Sequence, residues 1–338
     1  MLQVERELVN RVNLCTDKGK LNKESVGWAR KPIIRSNVRG QFLRKKKWNY
    51  WCVYGREALF SATISNLDYG TVCFVYYLDY ATKEFFEKTI ILPLDFKTKM
   101  PDEVQETVEV SHKNMHLSFI SDKRKTLLKI SAKDFAGQYL EADIVISYPE
   151  NIDSLNVVVP WSNEQFQFTA KHHCLPASGY FTLGDKTYTF NPTTDYAVLD
   201  YGRGIWPRES TWNWGMASGK QNDDVIGLNL GGKWTDGTGS TENALIVNGS
   251  LHKISEDLTF HFNPHNYMEE WQVTSPSGSV DLSFTPFFER LAKTDIKIVT
   301  SSVHQLVGHY KGSITLPKGK KIILTNLLGC IEDHYAKW

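Results

Sequence analysis

Leu245-Ile246-Val247-Asn248-Gly249-Ser250-Leu251-His252-Lys253-Ile254 decides the fold class. Two short runs of β-forming residues flank Asn-Gly, the strongest two-residue hairpin signal, because both turn positions accept positive φ. Asn248-Gly249-Ser250 also fits a glycosylation acceptor, but without a secretion signal it reads as a turn. The same pattern repeats outward from this hairpin. Gly184-Asp185 separates Tyr180–Leu183 from Thr187–Phe190, and Lys318-Gly319 joins Gly312–Leu316 to Lys321–Asn326. Pro276-Ser277-Gly278 precedes Val280, Leu282 and Phe284 at period two. Short strands at this rhythm describe a meandering all-β barrel or sandwich rather than an α/β sheet.

The first half reads likewise. Glu57–Asn66 alternates, Val72–Tyr80 is dense enough in apolar residues for burial on both faces, and Lys83–Leu92 continues the pattern. Thr107–Phe119, Thr126–Ser131 and Gln138–Ser147 are the next expected strands. A helical stripe shows only weakly, around Phe287–Ala292 and near the N-terminus. Pro149–Ser154 is polar and turn-rich, so the junction between two packed β-units is expected there: 1–150, and 151–338 carrying a second β-barrel or sandwich.

At 338 residues the chain suits two domains or one large β-assembly. Lys+Arg 39 against Asp+Glu 38 leaves no global field to steer it toward nucleic acid or an anionic membrane. The local exception, Arg44-Lys45-Lys46-Lys47 beside Trp48, reads as a solvated strand end. Cys15, Cys52, Cys73, Cys174 and Cys330 are odd in number and show no paired spacing, which points to a reducing compartment. A charged N-terminus and the lack of a long apolar run make the expectation cytoplasmic, with no integral membrane segment.

Between Asp195 and Asn243 the composition changes. Four of the ten tryptophans lie here, Trp206, Trp212, Trp214 and Trp234, beside the carboxylates Asp195, Asp200, Glu209, Asp236 and Glu242. Trp212 and Trp214 would share one strand face, with Asn213 on the other. Glycines at this density let backbone approach a ligand or bend at a barrel corner. The segment is either a tryptophan-plugged core in which Arg203 satisfies a carboxylate, or an apolar pocket into which a few polar groups project. In such a pocket burial would raise a carboxyl's pKa and fit it for acid catalysis. His112/His116, His172-His173 and His261/His265 lack partners at ligand spacing, so no metal is expected. No P-loop, dinucleotide fingerprint or G-x-S-x-G elbow occurs, and no cofactor is expected.

The run Ala197–Gly219, with Leu228-Asn229-Leu230-Gly231, Thr241-Glu242-Asn243 and the closing Gly329-Cys330-Ile331-Glu332-Asp333-His334…Trp338, resembles the domain of unknown function (DUF) 2804 family. That family is distantly similar to two-domain lipocalin-like proteins that include carotenoid hydratases, tocopherol cyclases and fungal cyclisation enzymes. The resemblance implies paired β-barrel-like units with an apolar pocket in or between them, and it carries no catalytic list.

Three functions stay open. The first is acid catalysis on a lipophilic unsaturated substrate such as a terpenoid or polyketide. There Glu242 or Asp236, then Asp200 and Glu209, would donate the proton. Trp206, Trp212, Trp214 and Trp234 would stabilise the cation. Arg203, Asn213, Asn243 and Tyr201 complete the expected substrate contacts. The second is a lipocalin-like carrier of a hydrophobic ligand, which a salt-bridged Glu242 would favour. The third is an interaction protein whose aromatic segment is only core.

Overall fold

A computed structural model describes residues 5–296 and 299–338. It is nearly all β. Among the described residues, helix is confined to single 3-10 turns at Lys23–Ser25 and Pro317–Gly319. The strands form a 13-stranded and a 9-stranded sheet, plus a parallel pair of Val12–Asn13 with Ile34–Arg35.

Along its main path the first sheet runs Phe85–Pro93, Gly70–Asp79, Ala58–Asn66, Lys45–Tyr54, Tyr196–Ile205, Phe166–Leu183, Gln138–Ser147, Lys125–Phe135, Met115–Ser121, Val108–His112, with Trp28–Ala29, Leu155–Pro160 and Lys186–Phe190 paired off it. One apolar cluster joins Ile64 and Cys73 near one end to Val108 and Phe119 at the other, so the sheet curls around its own core. The second sheet runs Ser250–Ile254, Asn243–Val247, Asp224–Gly232, Glu209–Gln221, Lys321–Lys337, Val299–Thr315, Val280–Ile296, Trp271–Thr274, Thr259–His261. Its own core includes Leu228, Leu230, Trp271, Phe284 and Tyr310. The two curled half-barrels pack against each other.

Most of the expected strands and turns are present. Asn248 and Gly249 have φ of 49° and 84°, as their hairpin requires. Thr107–Phe119, however, is a hairpin: His112 pairs with Met115 across the Lys113-Asn114 turn. Phe287–Ala292 is strand, not helix. A bulge between Pro286 and Phe288 breaks the two-residue period there, and this imitates a helical spacing. Near the N-terminus the only helix among the described residues is the Lys23–Ser25 turn. Residues 149–154 are a connection inside the first unit, because Leu155–Pro160 and Phe166–Leu183 rejoin the first sheet. The change of sheet falls at 206–208. A polar loop was the visible signal, but strand partnership decides which unit a segment joins.

Residue parity explains what faces the junction. Along Lys45–Tyr54, Trp51 and Val53 enter the first core, while Tyr50, Cys52 and Tyr54 face the second sheet. Along Tyr196–Ile205, Ala197, Leu199, Tyr201 and Ile205 point into the core. Across the junction, Tyr50, Tyr76 and Val198 meet Trp214, Met216, Val307 and Cys330. These central strands are therefore buried on both faces.

Candidate functional site

A cavity of about 500 Å³ lies between the sheets, within the size range of small-molecule sites. Its floor consists of register rows on the outward face of the first sheet. One row is Lys171, Asp200, Tyr50, Thr63, Phe74 and Thr89, each opposite the next. The next is Thr169, Gly202, Trp48, Ser65, Val72 and Ile91. The roof comes from the second sheet, where Trp214, Glu332, Gln305 and Arg290 are successive register partners. Beside them run Trp212, His334, Val303 and Ala292.

Tryptophans make the walls. Trp206 follows the last residue of a first-sheet strand and sits at their centre, 5.2 Å from Trp234, 5.5 Å from Trp212 and 5.9 Å from Trp48 between ring centroids. Each buried carboxylate of the cavity accepts one indole N–H. Trp48 donates to Asp200 Oδ2 at 3.0 Å, Trp234 to Glu242 Oε1 at 2.8 Å, and Trp212 to Glu332 Oε1 at 3.0 Å. Close backbone approach makes room for these side chains. Trp48 lies over Gly202 and Glu242 over Gly231, so a Cβ at either glycine would overlap them.

Lys171 is the only cation inside the cluster among the described residues. Its Nζ is 2.9 Å from Asp200 Oδ1, 3.0 Å from Glu242 Oε2 and 4.2 Å from the centroid of Trp214. Asp200 also accepts from Thr169 Oγ1 at 3.2 Å. Among the described residues Glu242 Oε2 has no hydrogen-bond donor beyond the nearby ammonium. Both contacts of the ammonium with the acids are charge pairs rather than directed hydrogen bonds. Burial works against the charge on Lys171, but the two carboxylates outweigh it and hold the pKa above its ordinary value. Burial pushes the Glu242 carboxyl up, and Asp200 adds to this; Lys171 and Trp234 oppose without reversing it. Two acids share one ammonium, and Glu242 is the less well satisfied.

A second polar pole closes the other side. Tyr50 OH donates to Tyr76 OH at 2.9 Å, which donates to Gln305 Oε1 at 2.7 Å. Gln305 Nε2 in turn donates to Glu332 Oε2 at 3.2 Å. Arg290 makes a two-pronged pair with Glu87 across the sheets, at 2.8 and 2.9 Å.

Of the residues expected from sequence, Glu242, Asp200, Trp206, Trp212, Trp214 and Trp234 line this cavity together. The others lie elsewhere. Asp236 is exposed and caps a turn through Lys233 N. Glu209 is exposed on an outer strand end, near Lys337 and Tyr335. Arg203 has the opposite parity to Asp200 and Gly202. It is buried on the core side, stacked on Tyr201, and donates to the carbonyls of Trp48 and Gly202 and to Asn49 rather than to a carboxylate. Tyr201 donates to Pro101 O. Asn213 lies on the far face from Trp212 and Trp214, donating to Asp333. Asn243 accepts from Gly231 N and fixes the start of the strand that Glu242 immediately precedes.

Sequence reasoning missed Lys171, Trp48, Glu332, Gln305 and Arg290. The polar alternation Gln167, Thr169, Lys171 between Phe166, Phe168 and Ala170 was a usable signal for the first of these. The basic run is also corrected. Lys46 is 3% exposed and lies over the rings of Tyr69 and Trp338, because its parity aims it at the cavity. Among the described residues no cluster of three or more His, Cys, Asp or Glu side chains is arranged to hold a metal. All five cysteines are free and buried.

The fold and cavity define an all-β protein of two curled half-barrel sheets with a pocket between them. Residues 5–338 match the model of the DUF2804 family, a domain of unknown function, and the chain belongs to that family. Among solved structures it is similar to kievitone hydratase from Nectria haematococca: TM-score 0.51, 10% identity, 86% of this chain and 88% of that one. It also matches CghA, at a TM-score of 0.47, 9% identity, and 87% and 88% coverage. No curated protein sequence matches it.

Proposed function

We propose that the chain is a cofactor-independent acid catalyst for a lipophilic unsaturated small molecule, of isoprenoid or polyketide type, carrying out hydration, isomerisation or cyclisation. One observation carries this reading: a single buried ammonium serves two carboxylates inside a tryptophan-walled cavity. Both acids share the ammonium, but Asp200 accepts an indole N–H and a hydroxyl besides and Glu242 only an indole N–H, which leaves the surplus proton to Glu242 Oε2. The acid transfers that proton to one alkene carbon, whose π electrons form the new C–H bond. The cation left on the neighbouring carbon faces the indole rings. Water adds there and returns a proton to Glu242; loss of a neighbouring proton, or attack by a second double bond, gives the other outcomes. A hydratase built on the same fold makes hydration the first reaction to assay.

The test is a panel of unsaturated isoprenoids incubated in ¹⁸O-water, with products analysed by mass spectrometry. Turnover is expected from the wild type, and Glu242→Gln should lose on the order of a hundredfold or more while still binding. Undiminished turnover in Glu242→Gln would end the proposal. The charge pair to Lys171 favours a second reading, a carrier of a hydrophobic ligand. That reading predicts bound compounds recovered unaltered and equal binding by both proteins.

A further inference from the structure

One corner of the cavity collects hydrogen-bond donors that the described residues leave partly or wholly unused. Lys46 Nζ donates to Leu67 O at 3.0 Å and lies 4.5 Å from the Tyr69 ring centroid. Among the described residues no carboxylate reaches ion-pair distance of it. Asp68, the acid next to this run, pairs instead with Lys45 at 2.9 Å. Gln167 is fully buried, and its Oε1 accepts from Trp206 Nε1 at 2.8 Å, so the amide orientation is fixed. Among the described residues its Nε2 has no partner, and neither has the buried Tyr69 OH. All three side chains line the cavity. They also converge: Gln167 and Lys46 flank Gly204 in one register row, and the Gln167 amide lies over that glycine.

We infer that this corner is a head-group subsite, in which Lys46, Gln167 and Tyr69 bind the carboxylate of an amphiphilic acid whose apolar body runs along the tryptophan wall. The inference rests on the proposed reading only in treating the cavity as a ligand site. A buried cation with no ion-paired carboxylate is costly unless a ligand supplies one. Burial accordingly holds Lys46 down to about 8, with Arg44 adding to the effect. One positive charge and two neutral donors match a monoanion with two acceptor oxygens, whereas a dianionic phosphate would leave charge uncompensated. Arg44 and Lys45 are already engaged, with Trp206 O and Asp68. Gln167 and Lys171 lie four residues apart on one strand, about 13 Å. The head is thus held several carbon atoms away from the Lys171–Asp200–Glu242 cluster, and the reacting double bond belongs in the chain rather than beside the carboxyl.

The test is quenching of intrinsic tryptophan fluorescence by farnesoate, its methyl ester and farnesol, on the full chain. The wild type should bind farnesoate at least about tenfold more tightly than either neutral analogue. Lys46→Met should erase that preference while still binding farnesol and the methyl ester. Gln167→Leu, which keeps the charge, should weaken it in part and serves if Lys46→Met does not fold. Equal affinity for all three probes in the wild type, or a preference that survives in Lys46→Met, overturns the subsite while leaving the cavity as a ligand site. Failure of all three to bind overturns both. Glu242→Gln separates the remaining case: if it retains turnover and the carboxylate preference, the acid assignment fails and the subsite stands.

Discussion

Glu242 is held by what its neighbour lacks. Its side chain rests on Gly231, its Oε1 takes an indole N–H from Trp234, and its main-chain carbonyl accepts from Asn229 Nδ2 at 2.5 Å. A methyl group at position 231 would overlap the Glu242 side chain. Gly231→Ala should therefore cost about 1–3 kcal/mol through overpacking, read as a lower urea midpoint at unchanged slope. An unchanged midpoint would mean that Glu242 swings aside at no cost, and its fixed placement would no longer support a role as acid. Near identity of type does not confer near identity of role. Asp236 and Glu242 lie six residues apart, yet one caps an exposed turn and the other is 2% exposed in the cavity wall.

At the scale of strands, parity and bulges sort polar groups into core, cavity or junction. Phe166–Leu183 has a register break between His172 and Leu175. At the break, His172 packs edge-on against Tyr148, while His173 Nδ1 lies 3.2 Å from the Ala217 carbonyl of the second sheet. Neither ring lines the cavity. Burial lowers His173 from 6.5 to about 4 and His172 to about 3. Both folded values lie below the unfolded one, so the stability that depends on neutral rings is intact above pH 6.5. It is lost as the pH falls toward those folded values. For His173 the loss amounts to up to about 3 kcal/mol. Urea midpoints measured from pH 7 to 4 should fall steeply for the wild type and less steeply for His173→Gln. Parallel profiles would locate the acid sensitivity in other groups.

For the whole molecule, the junction matters more than either barrel alone. The two halves share apolar clusters, Tyr50, Tyr76 and Val198 with Trp214, Met216 and Val307, and Trp28, Val157 and Trp206 with Trp234, Ala244 and Ile246. The Arg290–Glu87 pair and the Tyr76–Gln305 hydrogen bond tie the sheets across the cavity. Exposing such a surface is unfavourable, so neither half should survive loss of the other. Calorimetry should give one unfolding transition whose van't Hoff and calorimetric enthalpies agree. Two resolved transitions would mean that the halves are independent and the cavity is a loose seam.

Local chemistry determined much of this protein from sequence alone. Period-two alternation, Asn-Gly and Gly-Asp turns and the cluster of tryptophans between Asp195 and Asn243 specify strands, hairpins and an aromatic segment, because each depends on near neighbours. They also placed Trp212 and Trp214 on one face and drew attention to Glu242 and Asp200. Register across the sheets, which only the tertiary structure decided, set the rest. It moved the change of sheet to 206–208 and turned Arg203 into the core. It brought Lys171 between two carboxylates far apart in the chain, and aimed Lys46 into the cavity. A shift of one residue in pairing exchanges the two faces of a strand, and the sum of distant pairings that fixes it is not written in any short stretch.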